Sequence, residues 1–285
     1  MQVPFKVDLS KEIAVVTGGG GVLCGMMSKA LAECGAAVAV ADLKLDAAQQ
    51  VADEIIAAGG RAIAVACNAL DRESLEQAEK EIEEKLGAPT ILINGAGGNS
   101  PKGTTSMEEF SKEDLLNPET GKLSFYDLDP KGIQFVFDLN VIAALLSTQV
   151  FTKKMALAGR GVILNVSSMN AYRPLTKIPA YSAAKAAVSN FTQWLAVHFA
   201  KAGIRVNAIA PGFFLTNQNR SLLLNPDGSP TPRSAKIIRN TPMGHYGKPE
   251  DLLGALLWLV SNEASSFVTG IVVPIDGGFS AYSGV

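Results

Sequence analysis

The sequence predicts a doubly wound α/β fold, a seven-stranded parallel sheet of the Rossmann type, in a single domain over residues 1–285. Short apolar runs rich in β-branched residues alternate with longer segments rich in Ala, Leu, Glu and Lys. The short runs are apolar on both faces, as strands covered by helices on both sides are. The chain also contains no internal repeat and no linker-like segment, which favours one domain over two.

The predicted strands are Ile13–Thr17, Ala37–Ala41, Ala62–Cys67, Thr90–Asn94, Val162–Ser167, Val206–Ala210 and Ile271–Ile275. Helix-like segments lie near residues 24–34, 46–58, 71–86, 132–157, 181–201 and 249–261. Two polar segments rich in Pro and Gly, residues 98–131 and 213–248, are much longer than the usual βα loop. Each follows a strand, so it is equally interpreted as a solvated surface loop or as a wall of a substrate pocket.

Charge and cysteine usage exclude several classes of function. With 25 Lys+Arg against 27 Asp+Glu, the net charge of −2 indicates neither nucleic acid nor an anionic membrane as a partner. Cys24, Cys34 and Cys67 form no CxxC pair and His198 and His245 lie far apart, so no structural zinc site is expected. We expect a cytoplasmic protein, because the thiols suit a reducing compartment and no signal peptide or membrane-length apolar run is present.

A glycine cluster, residues 18–21, separates the first predicted strand from a helix. In such a turn backbone N–H groups and the helix N-terminus can approach a pyrophosphate, whereas an ordinary tight turn needs only one or two glycines. Asp42 ends the second strand, where a carboxylate accepts both ribose hydroxyls and repels a 2′-phosphate. This favours NAD(H) over NADP(H), although Lys44 softens the repulsion and Asp42 is alternatively a cap or turn residue.

Four polar residues form a candidate site for carbonyl and alcohol redox chemistry. Tyr181 and Lys185 are four residues apart and therefore share one helix face. An ammonium that stabilises the phenolate makes a tyrosine a usable acid and base near neutral pH. Ser168 follows the fifth strand and can hold a substrate oxygen, and Asn140 can hold a water that returns the proton. Singly each is more often an ordinary helix or turn residue, but together they indicate an active site.

These motifs resemble the short-chain dehydrogenase/reductase family over essentially the whole chain. The matching marks are Thr17-Gly18, Asn94-Gly95-Ala96-Gly97, Asn140, Ser168, the Tyr181/Lys185 pair, Pro211-Gly212 followed by Thr216, and Asp276-Gly277-Gly278. The resemblance implies a nicotinamide cofactor, with Tyr181 as acid and base and Lys185 also binding the nicotinamide ribose. It further implies that Ser168 positions the carbonyl and that Asn140 takes part in a proton relay.

The resemblance also implies which residues contact the dinucleotide: Gly18, Gly20, Gly21, Leu23, Asp42, Asn68, Ala69, Asn94, Ala96, Gly97, Tyr181, Lys185, Pro211, Gly212, Phe214 and Thr216. Two departures stand out. The second and third glycines of the family's TGxxxGxG turn are Val22 and Cys24 here, with Gly21 and Gly25 one residue away, so we expect a reshaped turn. The Asp that the family turns toward adenine is replaced by Asn68.

Within the family the chain resembles the D-mannonate oxidoreductases, or fructuronate reductases. The resemblance lies in residues 18–25, in the segment that follows residues 94–99, and in residues 127–140. It implies interconversion of D-fructuronate and D-mannonate. Because arginine suits a carboxylate, we hypothesise that Arg173, or failing it Arg220, binds the acid group, and that Asn99 and Asn170 contact the sugar. Each arginine is equally interpreted as a solvated surface residue.

Other polar candidates in the same segments are Lys102, Lys177, Asn217, His245 and Tyr246. Alternative activities are those of a gluconate 5-dehydrogenase or a 3-oxoacyl thioester reductase. A non-catalytic dinucleotide-binding regulator is a third class, against which the four retained site residues argue. The family resemblance implies a homotetramer in which the helices bearing Asn140 and Tyr181 pack between subunits, with His198 at the surface or interface.

Overall fold

The computed structural model describes residues 7–116, 122–216 and 220–284. Seven parallel strands form one sheet in the order β3-β2-β1-β4-β5-β6-β7. They are β1 (Ile13–Thr17), β2 (Ala37–Asp42), β3 (Arg61–Ala66), β4 (Ile91–Asn94), β5 (Gly161–Val166), β6 (Ile204–Pro211) and β7 (Val272–Ile275). The predicted doubly wound sheet is confirmed, and each predicted strand agrees with the observed one to within two residues.

Helices cover both faces of this sheet. They are α1 (Val22–Glu33), α2 (Leu45–Ala57), α3 (Arg72–Lys85), α4 (Glu113–Leu116), α5 (Pro130–Phe137), α6 (Ala143–Phe151), α7 (Lys153–Ala158), α8 (Pro179–Phe199), α9 (Arg220–Leu223), α10 (Pro232–Arg239), α11 (Leu253–Val260) and α12 (Asn262–Ser265). A π-helical turn, Asp138–Ile142, joins α5 to α6.

The alternation of side chains along each strand divides the core into two layers. Val16 of β1 and Ile93 of β4 are buried with α1, α2 and α11 on one face. Val15 and Leu92, their neighbours in sequence, are buried with α3, α6 and α8 on the other. Strand residues therefore have to be apolar at consecutive positions, which is the pattern from which a parallel sheet was predicted.

The strand order reverses between β1 and β4, and this places a crevice at their carboxyl ends. Thr17 joins the two strand ends across this crevice. Its hydroxyl accepts hydrogen bonds from the backbone N–H groups of Gly95 at 3.1 Å and Ala96 at 3.3 Å, and it donates to the carbonyl of Ile93 at 3.3 Å. The glycine turn after β1 and the segment after β4 are thereby held against each other.

A chain of buried amides connects the sheet to α8. Asn94 of β4 donates through Nδ2 to Thr148 Oγ1 of α6 at 3.0 Å and to Asn165 Oδ1 of β5 at 2.8 Å. Asn165 in turn donates to Thr192 Oγ1 of α8 at 2.9 Å. Because buried amides are costly when unpaired, these bonds fix the position of α8 relative to β4 and β5.

The two long polar segments contain more helix than their prolines and glycines suggest. Segment 98–131 contains the short helix α4 and single 3₁₀ turns, and segment 213–248 contains α9 and the two-turn helix α10. Pro232 occupies the first turn of α10, where its missing N–H costs nothing, and Thr231 caps the helix by accepting from Ser234 N at 3.2 Å. The expectation of loops throughout these segments was therefore wrong for α10.

One helix among the described residues, Pro130–Phe151, is long and apolar enough to cross a membrane by length and composition alone. The core helix of a soluble protein passes the same test, so this is weak evidence. The expectation of no membrane-length apolar segment missed this helix, because Lys131 and Asp138 interrupt its apolar runs in the sequence. Asn140 lies on this helix, buried, in its π-helical turn.

Candidate active site

A cavity of about 530 Å³ lies at the carboxyl ends of the strands that border the crevice. It extends from Asp42 after β2 to Tyr181 and Lys185 on α8. Its other lining residues are Thr17, Gly18, Gly21, Val22, Leu23, Cys24, Leu43, Cys67, Asn68, Ala69, Leu70, Gly95, Ala96, Gly97, Leu139, Val166, Ser167, Ser168, Pro211, Gly212, Phe213, Phe214 and Thr216. The cavity therefore includes nearly all of the residues expected to contact a dinucleotide.

Gly20 and Asn94 were expected at the dinucleotide but do not line this cavity. Asn94 faces the interior, where it holds Thr148 and Asn165. Gly20 lies behind the turn, and its N–H donates to Asp42 Oδ2 at 3.0 Å. A Cβ on Gly20 would lie 2.7 Å from that of Ala47, so this glycine is required by the close packing of the turn on α2.

Asp42 orders the turn, which is one of the two roles that the sequence left open. Oδ2 accepts from Gly20 N, and Oδ1 accepts from Lys44 N at 2.9 Å, so the carboxylate orders the backbone on both sides of it. The same residue lines the far end of the cavity from Tyr181. The carboxylate is thus fixed by the backbone on both sides and borders the cavity.

The glycine turn is reshaped around Cys24. Gly18 adopts φ 66°, and a Cβ there would lie 3.0 Å from Ala96 N. Cys24 stands where the family has its third glycine, and it is buried against Gly95, where any side chain would overlap its Sγ. Burial raises the pKa of the Cys24 thiol to about 12, so it is neutral at pH 7. Gly95 supplies the space that Cys24 takes up.

Asn68 lies at the rim of the cavity, after β3. Its Oδ1 accepts from Leu70 N at 3.1 Å and its own N–H donates to Ser74 Oγ at 2.9 Å. The side chain therefore shapes the turn that leads into α3. Unlike the aspartate of the family, which only accepts hydrogen bonds, Asn68 can also donate them through its amide Nδ2.

Tyr181 and Lys185 share one face of α8, as predicted. Lys185 Nζ lies 5.6 Å from the centroid of the Tyr181 ring and donates to the carbonyl of Val166 at 2.8 Å. The Ser168 side chain lies close enough to the Tyr181 phenol to act against the rise of its pKa. The three side chains thus meet at one end of the cavity, between the end of β5 and the first turns of α8.

Asn140 is tied to the segment that follows β4. Its Nδ2 donates to the carbonyls of Gly98 and Val136, each at 2.7 Å, and its Oδ1 accepts from Gly98 N at 3.2 Å. A Cβ placed on Gly97 would lie 2.7 Å from Asn140 Oδ1 and 3.1 Å from Lys185 Nζ. Gly97 is therefore the point at which the sheet edge, the π-helical turn and the ammonium meet.

Burial dominates the electrostatics of the pair. It raises the pKa of the Tyr181 phenol, although the nearby Ser168 side chain opposes this rise. It also lowers the pKa of Lys185 from 10.5 to about 8. The sequence predicts that the Lys185 ammonium lowers the pKa of the phenol, whereas in the structure burial raises it and Nζ donates to the carbonyl of Val166. At pH 7 the phenol carries its proton.

Of the four substrate candidates, the structure brings only Asn170 next to the predicted catalytic residues. Asn170 is 7% exposed and its N–H lies 3.3 Å from Ser168 Oγ, while its buried Oδ1 has no partner among the described residues. Arg173 is exposed and donates through Nε to the carbonyl of Ser280 at 3.1 Å. Arg220 is exposed at the start of α9. Asn99 is exposed and donates to Thr104 Oγ1 at 3.0 Å.

The remaining polar candidates have other surroundings. His245 lines a second cavity, of about 440 Å³, on the far side of Phe213 and Phe214, and its Nδ1 lies 2.9 Å from the carbonyl of Tyr246. Tyr246 is hydrogen-bonded to Ser234 of α10 at 2.7 Å. Asn217 lies outside the described residues.

Sequence reasoning missed the apolar part of the cavity wall. Leu43, Leu70, Leu139 and Phe213 line it but carry no chemical signal. Leu43 and Phe213 directly follow two residues that were predicted, Asp42 and Gly212. The signal that could have identified Leu43 and Phe213 is their position directly after a strand end. Apolar side chains at such positions are what an adenine or nicotinamide ring packs against.

Comparison with known proteins agrees with this geometry. A family model described as enoyl-(acyl carrier protein) reductase matches residues 24–280. An "Uncharacterized oxidoreductase UxuB" of Bacillus subtilis is 54% identical over 99% of this chain and 100% of its own. The crystal structure of a "putative D-Mannonate oxidoreductase" from Haemophilus influenza with bound NAD is 52% identical, covers 100% of both chains and superposes with a TM-score of 0.93.

The chain belongs to the short-chain dehydrogenase/reductase family. It is therefore a nicotinamide-dependent oxidoreductase that acts on CH–OH groups. Cofactor choice differs among its relatives: a gluconate 5-dehydrogenase from Burkholderia cenocepacia, solved with NADP and tartrate, is 26% identical over 99% of this chain and 100% of that chain, with a TM-score of 0.81. The glycines that leave the cavity floor without side chains, Gly18 and Gly97 among them, fit a dinucleotide lying along it.

We predict that Gly97→Ala lowers kcat of this reductase about 10- to 100-fold, because the new methyl displaces Asn140 Oδ1 and Lys185 Nζ. Gly98→Ala is the matched control, since its methyl meets only Leu139 Cδ2 at an ordinary 3.4 Å. Steady-state kinetics of both variants check this. Equal activities in the two variants would contradict the close approach at Gly97.

We predict that Lys185→Met stabilises the fold at pH 7 by about 2 kcal/mol. The shift from 10.5 to about 8 corresponds to about 3 kcal/mol, from which the lost hydrogen bond to Val166 removes about 1. The folded pKa lies below the unfolded one, so the wild-type protein gains stability as pH rises from 8 to 10.5, and the variant's advantage disappears over that range. Urea unfolding at pH 7 and pH 10 measures this.

Lys80→Met, on the exposed face of α3, is the control for other groups that titrate between the two pH values. A stability difference between Lys185→Met and wild type that stays the same at pH 7 and pH 10 would show that burial does not depress the pKa of Lys185.

Proposed function

We propose that this short-chain dehydrogenase/reductase is an NAD(H)-dependent enzyme that interconverts D-fructuronate and D-mannonate. The observation that carries the proposal is the single cavity that joins Asp42 at one end to Ser168, Tyr181 and Lys185 at the other. The likeness to the Haemophilus protein described as a "putative D-Mannonate oxidoreductase" and solved with NAD supports the substrate.

In this proposal the protonated phenol of Tyr181 acts as the acid. It donates its proton to the carbonyl oxygen of the substrate, which the Ser168 hydroxyl holds by a hydrogen bond. Bound NADH supplies the hydride that the carbonyl carbon accepts, and the alcohol forms. Burial keeps the phenol protonated until that oxygen becomes basic. The reverse reaction returns both the proton and the hydride.

Lys185 supports the proton donation by Tyr181. Its buried ammonium lies 5.6 Å from the centroid of the Tyr181 ring, where it stabilises a developing phenolate in a site from which water is largely excluded. Lys185 also lines the cavity, where we propose that it binds the nicotinamide ribose. Asn140 holds the segment after β4 at the required distance and stands beside Lys185 for a proton relay.

Asn170 is the substrate contact that the structure favours among those proposed from sequence. Its buried Oδ1 lacks a donor among the described residues, and a buried acceptor without a donor is unfavourable. Asn170 does not line the cavity, so a sugar acid would reach this acceptor only after the side chain turns toward Ser168. Asn99, Arg173 and Arg220 remain proposed substrate contacts. In the structure Asn99 bonds to Thr104 and Arg173 to Ser280, and Arg220 is exposed.

We also propose that the enzyme works in the cytoplasm as a homotetramer. Cys24, Cys34 and Cys67 are free thiols, which suits a reducing compartment. Large apolar side chains are exposed on the helices expected between subunits, including Phe135 of α5 and Trp194 of α8. His198 is exposed and stacks on Trp194 at 4.6 Å, so it belongs to the same surface.

The proposed activity is tested by NADH oxidation with D-fructuronate, beside D-tagaturonate, 5-ketogluconate and an acetoacetyl thioester. We expect D-fructuronate to give the highest kcat/KM. Tyr181→Phe should lower kcat by about 10²- to 10⁴-fold, because the acid is removed. Tyr126→Phe, on an exposed ring of segment 98–131, is the control. Preference for 5-ketogluconate would instead favour the gluconate 5-dehydrogenase alternative, and no turnover of any keto acid would overturn the proposal.

Cofactor preference has a separate test. We predict that Asp42→Ala raises KM for NADH at least about tenfold and lowers KM for NADPH, since the ribose acceptor and the repulsion are both lost. Part of the NADH effect comes from the turn, because Gly20 N and Lys44 N lose their acceptor. Asp46→Ala, an exposed carboxylate on α2, is the control. An unchanged ratio of the two KM values would contradict the role of Asp42.

A further inference from the structure

Asp276 orders a tight turn that directly follows β7, residues 276–280, which we call the 276–280 turn. Its Oδ1 accepts a hydrogen bond from Gly278 N at 2.9 Å, and its Oδ2 accepts one from Ser280 N at 2.8 Å. Gly277 and Gly278 adopt φ values of 63° and 87°, the left-handed conformation that glycine adopts without steric cost. Asp276-Gly277-Gly278 is one of the family marks in the sequence, and in the structure these residues line the second cavity rather than the first.

The backbone that follows Ser168 forms one hydrogen-bonded unit, residues 168–173, which we call the Ser168 turn. The carbonyl of Ser168 accepts from Ala171 N at 3.0 Å, and that of Met169 accepts from Arg173 N at 3.0 Å. A displacement of Arg173 is therefore transmitted to Ser168, which lines the active-site cavity.

Two side chains fasten the far end of the Ser168 turn across the sheet. Tyr172 Oη donates to the carbonyl of Val272 in β7 at 2.8 Å, and Arg173 Nε donates to the carbonyl of Ser280 at 3.1 Å. Strand β6 lies between β5 and β7, so both bonds pass over its end. Because Asp276 holds Ser280 N, the acceptor for Arg173 has a fixed position.

The 276–280 turn also supports the segment that follows β6. A Cβ on Gly212 would lie 2.5 Å from the Cβ of Asp276, so the end of β6 packs directly on the turn. The Phe279 ring packs edge-on against the Phe213 ring, with 5.2 Å between the centroids. Phe213 lines the active-site cavity and also the second cavity, of about 440 Å³. A ring with a cavity on each side has room to move, and the contact with Phe279 restricts it.

We propose that Asp276 is a positioning residue for the reaction, because the turn that it orders holds Ser168 and Phe213 in fixed positions on two walls of the active-site cavity. The two walls are adjacent, since β5 and β6 pair directly. A hydroxyl that has to hold a substrate carbonyl beside Tyr181 loses rate steeply when it is displaced by about 1 Å. This inference rests on the proposed function in the role that it gives to Ser168.

Kinetics of Asp276→Asn with D-fructuronate and with its uncharged amide test the proposal. Asparagine keeps the shape of the side chain but presents an amide NH₂ to one of the two N–H donors. We expect kcat/KM to fall about tenfold on both substrates, as for loss of one hydrogen bond to a charged group. The Kd of NADH should change less than about threefold, because the Asp42 end of the active-site cavity is unaltered.

Asp251→Asn is the matched control. Asp251 lines the same second cavity, but its Oδ2 accepts from Lys248 N at 2.8 Å, a bond local to the 3₁₀ turn Pro249–Leu252. This variant should stay within about twofold of the wild type. Equal losses in Asp276→Asn and Asp251→Asn, or no loss in Asp276→Asn, would overturn the proposal.

A double-mutant cycle with Arg173→Met tests the connection to Ser280. We expect Arg173→Met to lower kcat/KM for the amide about 3- to 10-fold in the wild-type background, and less than about twofold in Asp276→Asn, where the acceptor is already displaced. Arg173→Lys should restore part of the activity, because an ammonium also donates to a carbonyl. A direct contact of Arg173 with the acid group would add a loss confined to the acid. Additive losses on the amide would contradict the role of Asp276.

Hydrogen exchange tests the same connection without turnover, and with a variant, Arg173→Met, that changes only an exposed side chain. The peptide that covers residues 168–173 should exchange at least about threefold faster in Arg173→Met and in Asp276→Asn than in the wild type or Asp251→Asn, because local opening becomes easier. Equal exchange in all four proteins would overturn the proposal. Absence of wild-type turnover with D-fructuronate would instead overturn the proposed function alone.

Discussion

The pairing of β4 with β1 on one side and β5 on the other is the interaction on which the site depends. It is here that the strand order reverses, and the reversal leaves the strand ends open to a ligand. Thr17 ties the two central ends together through the backbone of Gly95 and Ala96. The glycine turn after β1 and the segment after β4 are therefore parts of one rigid edge of the sheet.

Buried polar bonds extend that rigidity to the chemistry. The amides of Asn94 and Asn165 connect β4 and β5 to Thr192 of α8, the helix that carries Tyr181 and Lys185. The same packing removes the phenol and the ammonium from water and moves their pKa values in opposite directions, up for the phenol and down for the amine. The order of their usual pKa values is thereby reversed: the Lys185 ammonium loses its proton more easily than the Tyr181 phenol, and the phenol stays protonated at pH 7.

Much of the fold could be predicted because its signals are local. Consecutive apolar residues, as in Ile13–Thr17 and Ile91–Asn94, are typical of a strand that is buried on both faces. The Tyr181/Lys185 spacing was informative because any α-helix places such residues on one face. Helix α10 and the helix Pro130–Phe151 were harder to predict from the sequence. Prolines in α10 and isolated charges in Pro130–Phe151 weaken the local helix pattern, and such helices are stabilised by tertiary contacts.

The sequence by itself determined the sheet, the family and the residue types available for proton transfer and ribose binding, because these depend on periodicity and on short motifs. Only the tertiary structure decided which side chains share a cavity. It engaged Arg173 with Ser280, turned Asn94 inward, and paired Lys236 with Glu108. It also set the direction of the Tyr181 pKa. Distances between segments far apart in the chain, and the exclusion of water between them, arise only when the layers pack.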